Sequence, residues 1–177
     1  MTSLQILPID HPLLRKKAAP ISRFGPSLRR LVEEMFATLH AAEGSGLAAP
    51  QIGAAIRLLV AEHDEQPIPL CNPVIVSAEG ESFGAEGCLS FPGFIGLHIR
   101  RATHIEIQAQ DPHGAPVEIV AEGILARILQ HEVDHLDGIL FLDHLASLAD
   151  LRKLRPVRPL KDADPPEPTV AVDGVVP

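Results

Sequence analysis

The chain has 177 residues, and its 15 Lys and Arg against 23 Asp and Glu give a formal net charge of −8. That length supports one domain with a real core, and the acidic balance argues against a non-specific nucleic-acid binder, though local basic clusters could still dock on RNA. No run of 18 apolar residues predicts a membrane span, and the opening MTSLQILPIDHPLLRKK resembles neither a signal peptide nor an Arg- and Ser-rich transit segment, so the cytosol is the expected compartment.

In chain order, residues 4–7 (LQIL) read as a short strand before Pro8, and residues 11–20 as an irregular arm with one short turn of helix. Pro26 opens a helix, since proline is well tolerated in the first turn. Leu28, Leu31, Val32, Met35, Phe36 and Leu39 then fall on one stripe that ends before Gly44, which is a core face without a chemical role. Residues 44–53 (GSGLAAPQIG) hold two glycines two apart, which permit close approach of backbone or ligand. No Lys-Ser/Thr follows at phosphate-loop spacing, so the simplest reading is a helix-to-strand connection. Gln51 is a polar amide in an apolar run and needs a partner if buried.

Residues 57–61 and 70–76 read as strands, with Pro73 marking an edge or a bulge. Residues 81–89 lead, through a Gly-containing strand end, into Glu86-Gly87-Cys88-Leu89-Ser90. Residues 102–110 form a strand with Ile105 and Ile107 alternating, Asp111-Pro112-His113-Gly114 a turn, and residues 117–120 the returning strand. His98, His104, His113 and His144 share no ligand spacing and are expected at surface or hairpin positions. After residue 148 the periodicity fades. Arg152, Lys153, Arg155 and Arg158 form a basic cluster, read first as a solvated helix end and second as a docking point. Residues 161–177, rich in Pro, Asp and Val, read as a mobile tail. The expected class is α+β, with mostly antiparallel strands packed around a central metal-binding helix and one N-terminal amphipathic helix.

That central helix carries the chemistry. Residues 130–138 read QHEVDHLDG and contain His131, Glu132 and His135 in the pattern H-E-x-x-H. On a helix, residues four apart share a face, so two imidazoles can reach one metal while Glu132, about 100° round, reaches a water on it. Ile124, Leu125, Ile128, Leu129 and Leu136 project as one apolar arc, with both histidines at its edge beside Ile124 and Ile128. Gly138 follows as a C-terminal cap. A catalytic site of this kind needs a third protein ligand and an open position for water. The spacing H-E-x-x-H-x-x-G-x-x-H fails, because the last position is Phe141. Asp137 and Asp143 are downstream candidates. Cys88 is the better one, since in a reducing compartment neither Cys71 nor Cys88 is expected in a disulfide, and a thiolate with two imidazoles makes a stable tetrahedral set with one water. Cys71 reads as a small core residue.

Three stretches, in order, resemble the peptide deformylase family: G-x-G-x-A-A-P-Q at 44–51, E-G-C-L-S at 86–90 and Q-H-E-x-D-H-L-x-G at 130–138. The resemblance spans residues 4–150, which places a deformylase-like catalytic domain over 1–152 and the basic cluster and tail over 153–177. It implies hydrolysis of the formyl group from formyl-methionyl nascent polypeptides. It implies metal ligation by Cys88, His131 and His135, acid/base work by Glu132, and oxyanion donation by the Leu89 backbone N–H and the Gln51 amide. Ser45, Gly46, Ile124 and Ile128 would lie near the methionine, and Ser45, Gly46 and Gly87 would pair with the peptide backbone. The implied cofactor is one divalent ion, Fe(II) in the cell and Zn(II) or Ni(II) in a purified sample. A transient ribosome contact would fall to Arg152, Lys153, Arg155 and Arg158. A metallo-endopeptidase and a non-catalytic metal-binding domain are the rival readings.

Overall fold

The computed structural model describes residues 3–154. Two antiparallel sheets and two helices make up an α+β fold. The first helix, α1 (Pro26–Ala41), starts behind Gly25 with Pro26 in its first turn, where no backbone donor is needed. Its stripe buries Leu28, Val32, Met35 and Leu39, as its spacing predicts. The larger sheet runs in the order β1 (Gly46–Ala48), β2 (Leu58–His63), β3 (Gln66–Glu79), β6 (His104–Gln110), β7 (Pro116–Glu122). The smaller sheet runs β4 (Ser82–Gly87), β5 (Phe94–Arg101), β8 (Leu151–Lys153).

The central helix, α2 (Gly123–Leu136), follows β7 directly and lies back across the larger sheet. Its Ala126, Leu129, Val133 and Leu136 pack on Leu59, Ala61, Leu70, Ile105 and Ile107. On the opposite face α1 meets Leu47, Leu58, Val60 and Cys71. Thus β2 is covered on both sides, which is why Leu58, Leu59, Val60 and Ala61 are all apolar and fully buried rather than alternating. Each large side chain so buried contributes about 1.5–3 kcal/mol. Among the described residues no helix is long and apolar enough to cross a membrane.

The proline at 73 marks a bulge inside a paired strand. The register of β3 against β6 shifts between Cys71 and Val74, and Asn72 sits at φ 52°. The Asn72 side chain holds both backbone groups of Ile21, at 2.7 and 2.9 Å. Several expectations are corrected. Residues 4–7 form no strand; the Leu4 N–H donates to Thr38 Oγ1 at 2.8 Å and the Leu7 N–H to the Gln51 carbonyl at 2.7 Å, so their backbone groups are satisfied outside any ladder. The connection at 44–53 contains strand β1 followed by a short 3-10 turn. The sequence reading passes over β5, whose inward residues Gly96, Ile99 and Arg101 do not alternate cleanly. Arg152 and Lys153 lie on β8 instead of a helix end. Ile124 leaves the core arc and is 69% exposed. Arg155, Arg158 and the 161–177 tail lie outside the described residues.

Candidate metal centre

Strand β4 and helix α2 bring the sequence candidates together. Cys88 follows β4, where the Phe91 N–H donates to the Cys88 carbonyl at 2.9 Å and closes a turn. His131 and His135 project from successive turns of α2, and one donor atom from each of Cys88, His131 and His135 lies within 4.8 Å of the others. Cys88 Sγ is 3.3 Å from His135 Nε2. Gln130 fixes the helix in register: its amide exchanges hydrogen bonds of 3.0 Å with both backbone groups of Ala102. Gly138 ends it at φ 76°, and a Cβ there would stand 2.8 Å from the Arg15 carbonyl.

A buried carboxylate orients the first imidazole. Glu86 Oε2 lies 2.9 Å from His131 Nδ1, which turns Nε2 toward the cysteine side. Arg101 donates to both Glu86 oxygens at 2.8 and 2.9 Å, and Arg127 to Oε1 at 2.9 Å. Arg101 also donates to Asp134 at 2.6 Å, and His144 lies 2.8 Å from the same oxygen. Burial alone would raise the Glu86 pKa; the hydrogen bonds from Arg101 and His131, and their charges, hold it well below the carboxylate range.

The two imidazoles then differ. Burial works against a charge on His131, but hydrogen bonds to Cys88 and Glu86 and the Glu132 charge outweigh it and raise its pKa to about 10. The position therefore favours a cation, either a proton or a metal ion. Burial, helped by the neighbouring His131 charge, lowers His135 to about 3, so its ring is neutral and able to ligate. Burial raises Glu132 to about 7, with the charges of Glu86 and Asp134 adding to it. Glu132 Oε2 is enclosed and, among the described residues, has no hydrogen-bond partner. A carboxylate oxygen in that condition needs a proton donor such as water. A soft sulfur donor, two imidazoles and this orphaned oxygen fit a zinc- or iron-type ion carrying one water.

Gln51, 1% exposed, is held on three sides. Its Oε1 accepts the Ala48 N–H at 2.8 Å, and its Nε2 donates to Ser90 Oγ at 3.2 Å and Cys88 Sγ at 3.4 Å. Gly46 lies against Glu132, where a Cβ would stand 2.4 Å from Oε1, so no larger residue fits without displacing that carboxylate.

A cleft of about 440 Å³, within the size range of small-molecule sites, opens over these groups. Ser45, Gly46, Gln51, Gly87, Cys88 and Leu89 line it from the strand side, and Ile124, Ile128, His131 and Glu132 from α2. His135 stands behind Cys88. Asp137 and Asp143 are elsewhere: Asp137 accepts from Arg57 at 2.8 Å, and Asp143 pairs with Arg15 and accepts the Leu140 N–H at 2.8 Å. His98 and His104 pair with Asp150 and Glu122 near the surface, while His144 is half-buried on Asp134 instead of free at the surface. Sequence reasoning missed the Glu86–Arg101–Asp134 chain. No local signal pointed to it, because Glu86, Arg101 and Asp134 sit on β4, β5 and α2 and meet only through the fold.

A sequence model of the polypeptide deformylase family matches residues 3–150. The peptide deformylase of Desulfitobacterium hafniense is 45% identical over 143 residues, covering 81% of this chain and 95% of that protein. That of Heliobacterium modesticaldum is 47% identical over 147 residues, covering 82% and 95%. The crystal structure of peptide deformylase from Thermotoga maritima superposes with a TM-score of 0.81 at 36% identity, over 83% of this chain and all of that one.

Proposed function

Because this chain belongs to the polypeptide deformylase family, and so is a hydrolase that removes N-terminal formyl groups from nascent polypeptides, we propose that Cys88, His131 and His135 hold its metal ion and Glu132 moves its protons. The observation that carries this assignment is the enclosed, unpartnered Glu132 Oε2 beside the three convergent donor atoms. Held by Cys88, His131 and His135, a divalent ion would supply Lewis acidity to the site.

The chain's own residues do the rest. Glu132, whose enclosed Oε2 has no partner among the described residues, accepts the proton of the attacking water as its oxygen joins the formyl carbon. It returns that proton to the α-amine as the C–N bond breaks, leaving formate and a free amino terminus. The Gln51 amide, anchored through Oε1 on Ala48, exchanges its weaker 3.4 Å contact with Cys88 Sγ for the developing oxyanion. The Leu89 N–H is the second donor.

Main-chain recognition follows from the ends of the sheets. Strands β1 and β4 are terminal in their sheets among the described residues. The Ser45 carbonyl accepts the Glu62 N–H at 3.0 Å, which fixes the alternation: Ser45 and Leu47 face β2, and Gly46 presents its backbone groups to the cleft. A peptide added between Gly46 and Gly87 places its first side chain against Ile124 and Ile128. Such pairing reads backbone and one terminal side chain, which suits an enzyme acting on many sequences. The reading includes Fe(II) as the metal in the cell, a cytoplasmic location, and transient ribosome contact through Arg152 and Lys153, both exposed on β8.

Formate release from formyl-Met-Ala-Ser under anaerobic conditions, with Fe(II) against Zn(II), tests the proposal. Turnover with both ions, faster with Fe(II), is expected. Cleavage inside an unblocked peptide would indicate an endopeptidase instead, and metal uptake without formate a non-catalytic domain.

A further inference from the structure

One residue lining the cleft lies beyond the region matched by the family. The match ends at residue 150, and β8 begins at Leu151. Just past β8, Leu154 lines the cleft while 51% exposed. Its position is fixed by backbone pairing. The Leu154 N–H donates to the Gly93 carbonyl at 2.8 Å, and β8 registers on β5 through Phe94 with Lys153, Ile95 with Arg152 and Gly96 with Leu151. Asp150, immediately before β8, accepts from His98 of β5 at 3.0 Å.

Arg127, which lines the cleft, is already engaged. The Arg127 guanidinium is shared among Glu86, the Ile99 carbonyl and Ser82. Arg152 folds back on the Ala149 carbonyl. What faces the outer part of the cleft is apolar: the Phe91 and Phe94 rings, stacked with centroids 4.4 Å apart, together with Pro92, Ile95 and Leu154. An apolar surface at a cleft mouth favours an apolar visitor and penalises a carboxylate that must shed water on entering it.

We propose that Leu154 is a specificity-determining residue. With the Phe91–Phe94 pair it receives the side chain of a residue downstream of the formyl-methionine, so nascent chains carrying an apolar residue there are deformylated faster than those carrying an acidic one. The inference rests on the deformylase reading and adds to it a substrate preference set by the chain's C-terminal strand. Covering a half-exposed leucine corresponds to a preference of roughly fivefold.

The test uses the full, metal-loaded chain and two peptide series, formyl-Met-Xaa-Ala and formyl-Met-Ala-Xaa, with Leu or Asp as Xaa. In at least one series the wild type is expected to show a Leu-over-Asp ratio in kcat/KM of about five or more. Leu154→Ala brings that ratio toward one, and Leu154→Lys inverts it in favour of Asp. A wild-type ratio near one in both series, or a ratio unchanged across all three proteins, overturns the proposal while leaving the deformylase reading intact. Formate from none of the peptides would overturn both.

Discussion

Cys71 and Cys88 occupy two regions that treat the same side chain in opposite ways. Cys71 sits on β3 among Leu47, Leu58 and Val60 with no exposed surface. Burial there, with the Asp111 charge adding, pushes its thiol up to about 11. It stays protonated and serves as a small apolar residue. Cys88 lies just past the end of β4, beside an imidazole at 3.3 Å and an amide donor at 3.4 Å. Both are buried or half-buried sulfurs in one small domain. The comparison teaches that burial alone makes a thiol inert, whereas a sulfur at the cleft beside an imidazole and an amide donor is placed where it could ligate a metal.

The sharpest way to break this contrast is to delete each sulfur. Cys88→Ala is expected to lose both bound metal and formate release, down to background, by elemental analysis and a formate assay. Cys71→Ala should retain both. Comparable losses in the two variants would erase the distinction.

Glu132→Gln should lower kcat/KM by about 10²–10⁴ while metal content stays equal to wild type. The wild-type pH profile gives the sign independently. Below its pKa Glu132 is protonated and unable to accept a proton, so kcat/KM should fall about tenfold per pH unit on the acid side. A bound cation moves that limb below the value of about 7 that burial sets. An acid limb that persists in Glu132→Gln would assign it to another group.

Glu86→Gln tests whether the carboxylate behind His131 matters to the centre. It keeps the shape but withdraws the charge that orients the ring, and metal affinity should weaken by roughly 10–100-fold in a chelator competition. Unchanged affinity would make the Arg101–Glu86–His131 chain purely structural.

The smallest effect concerns Cys71. Its folded pKa of about 11 lies above the ordinary thiol value of 9.0, so the unfolded chain releases this proton first as pH rises. The stability it contributes is present below pH 9 and declines between pH 9 and 11, by about 2–3 kcal/mol in total. Denaturant unfolding at both ends of that window should show the decline in wild type and a smaller one in Cys71→Ala. The chain has no Tyr to mask it.

The parts of this molecule that were legible in its sequence are those written locally. The α1 stripe, the His131–His135 spacing and the β6–turn–β7 hairpin each depend on neighbours within a few positions. Strand β1 was hidden because it is three residues long and lies between a glycine-rich turn and a 3-10 turn. Strand β8 was hidden because its register depends on β5, more than 50 residues away. Ile124 joined the apolar arc by periodicity, yet it is largely exposed and lines the cleft. The Glu86–Arg101–Asp134 chain joins three elements, and no spacing rule within one of them reveals it.

X-ray absorption at the metal edge of the zinc-loaded protein tests the central claim most directly. One sulfur at roughly 2.3 Å and two imidazole nitrogens at roughly 2.0 Å are predicted, with lighter scatterers completing the shell. A shell of nitrogen and oxygen alone would place Cys88 outside the metal centre and contradict the account.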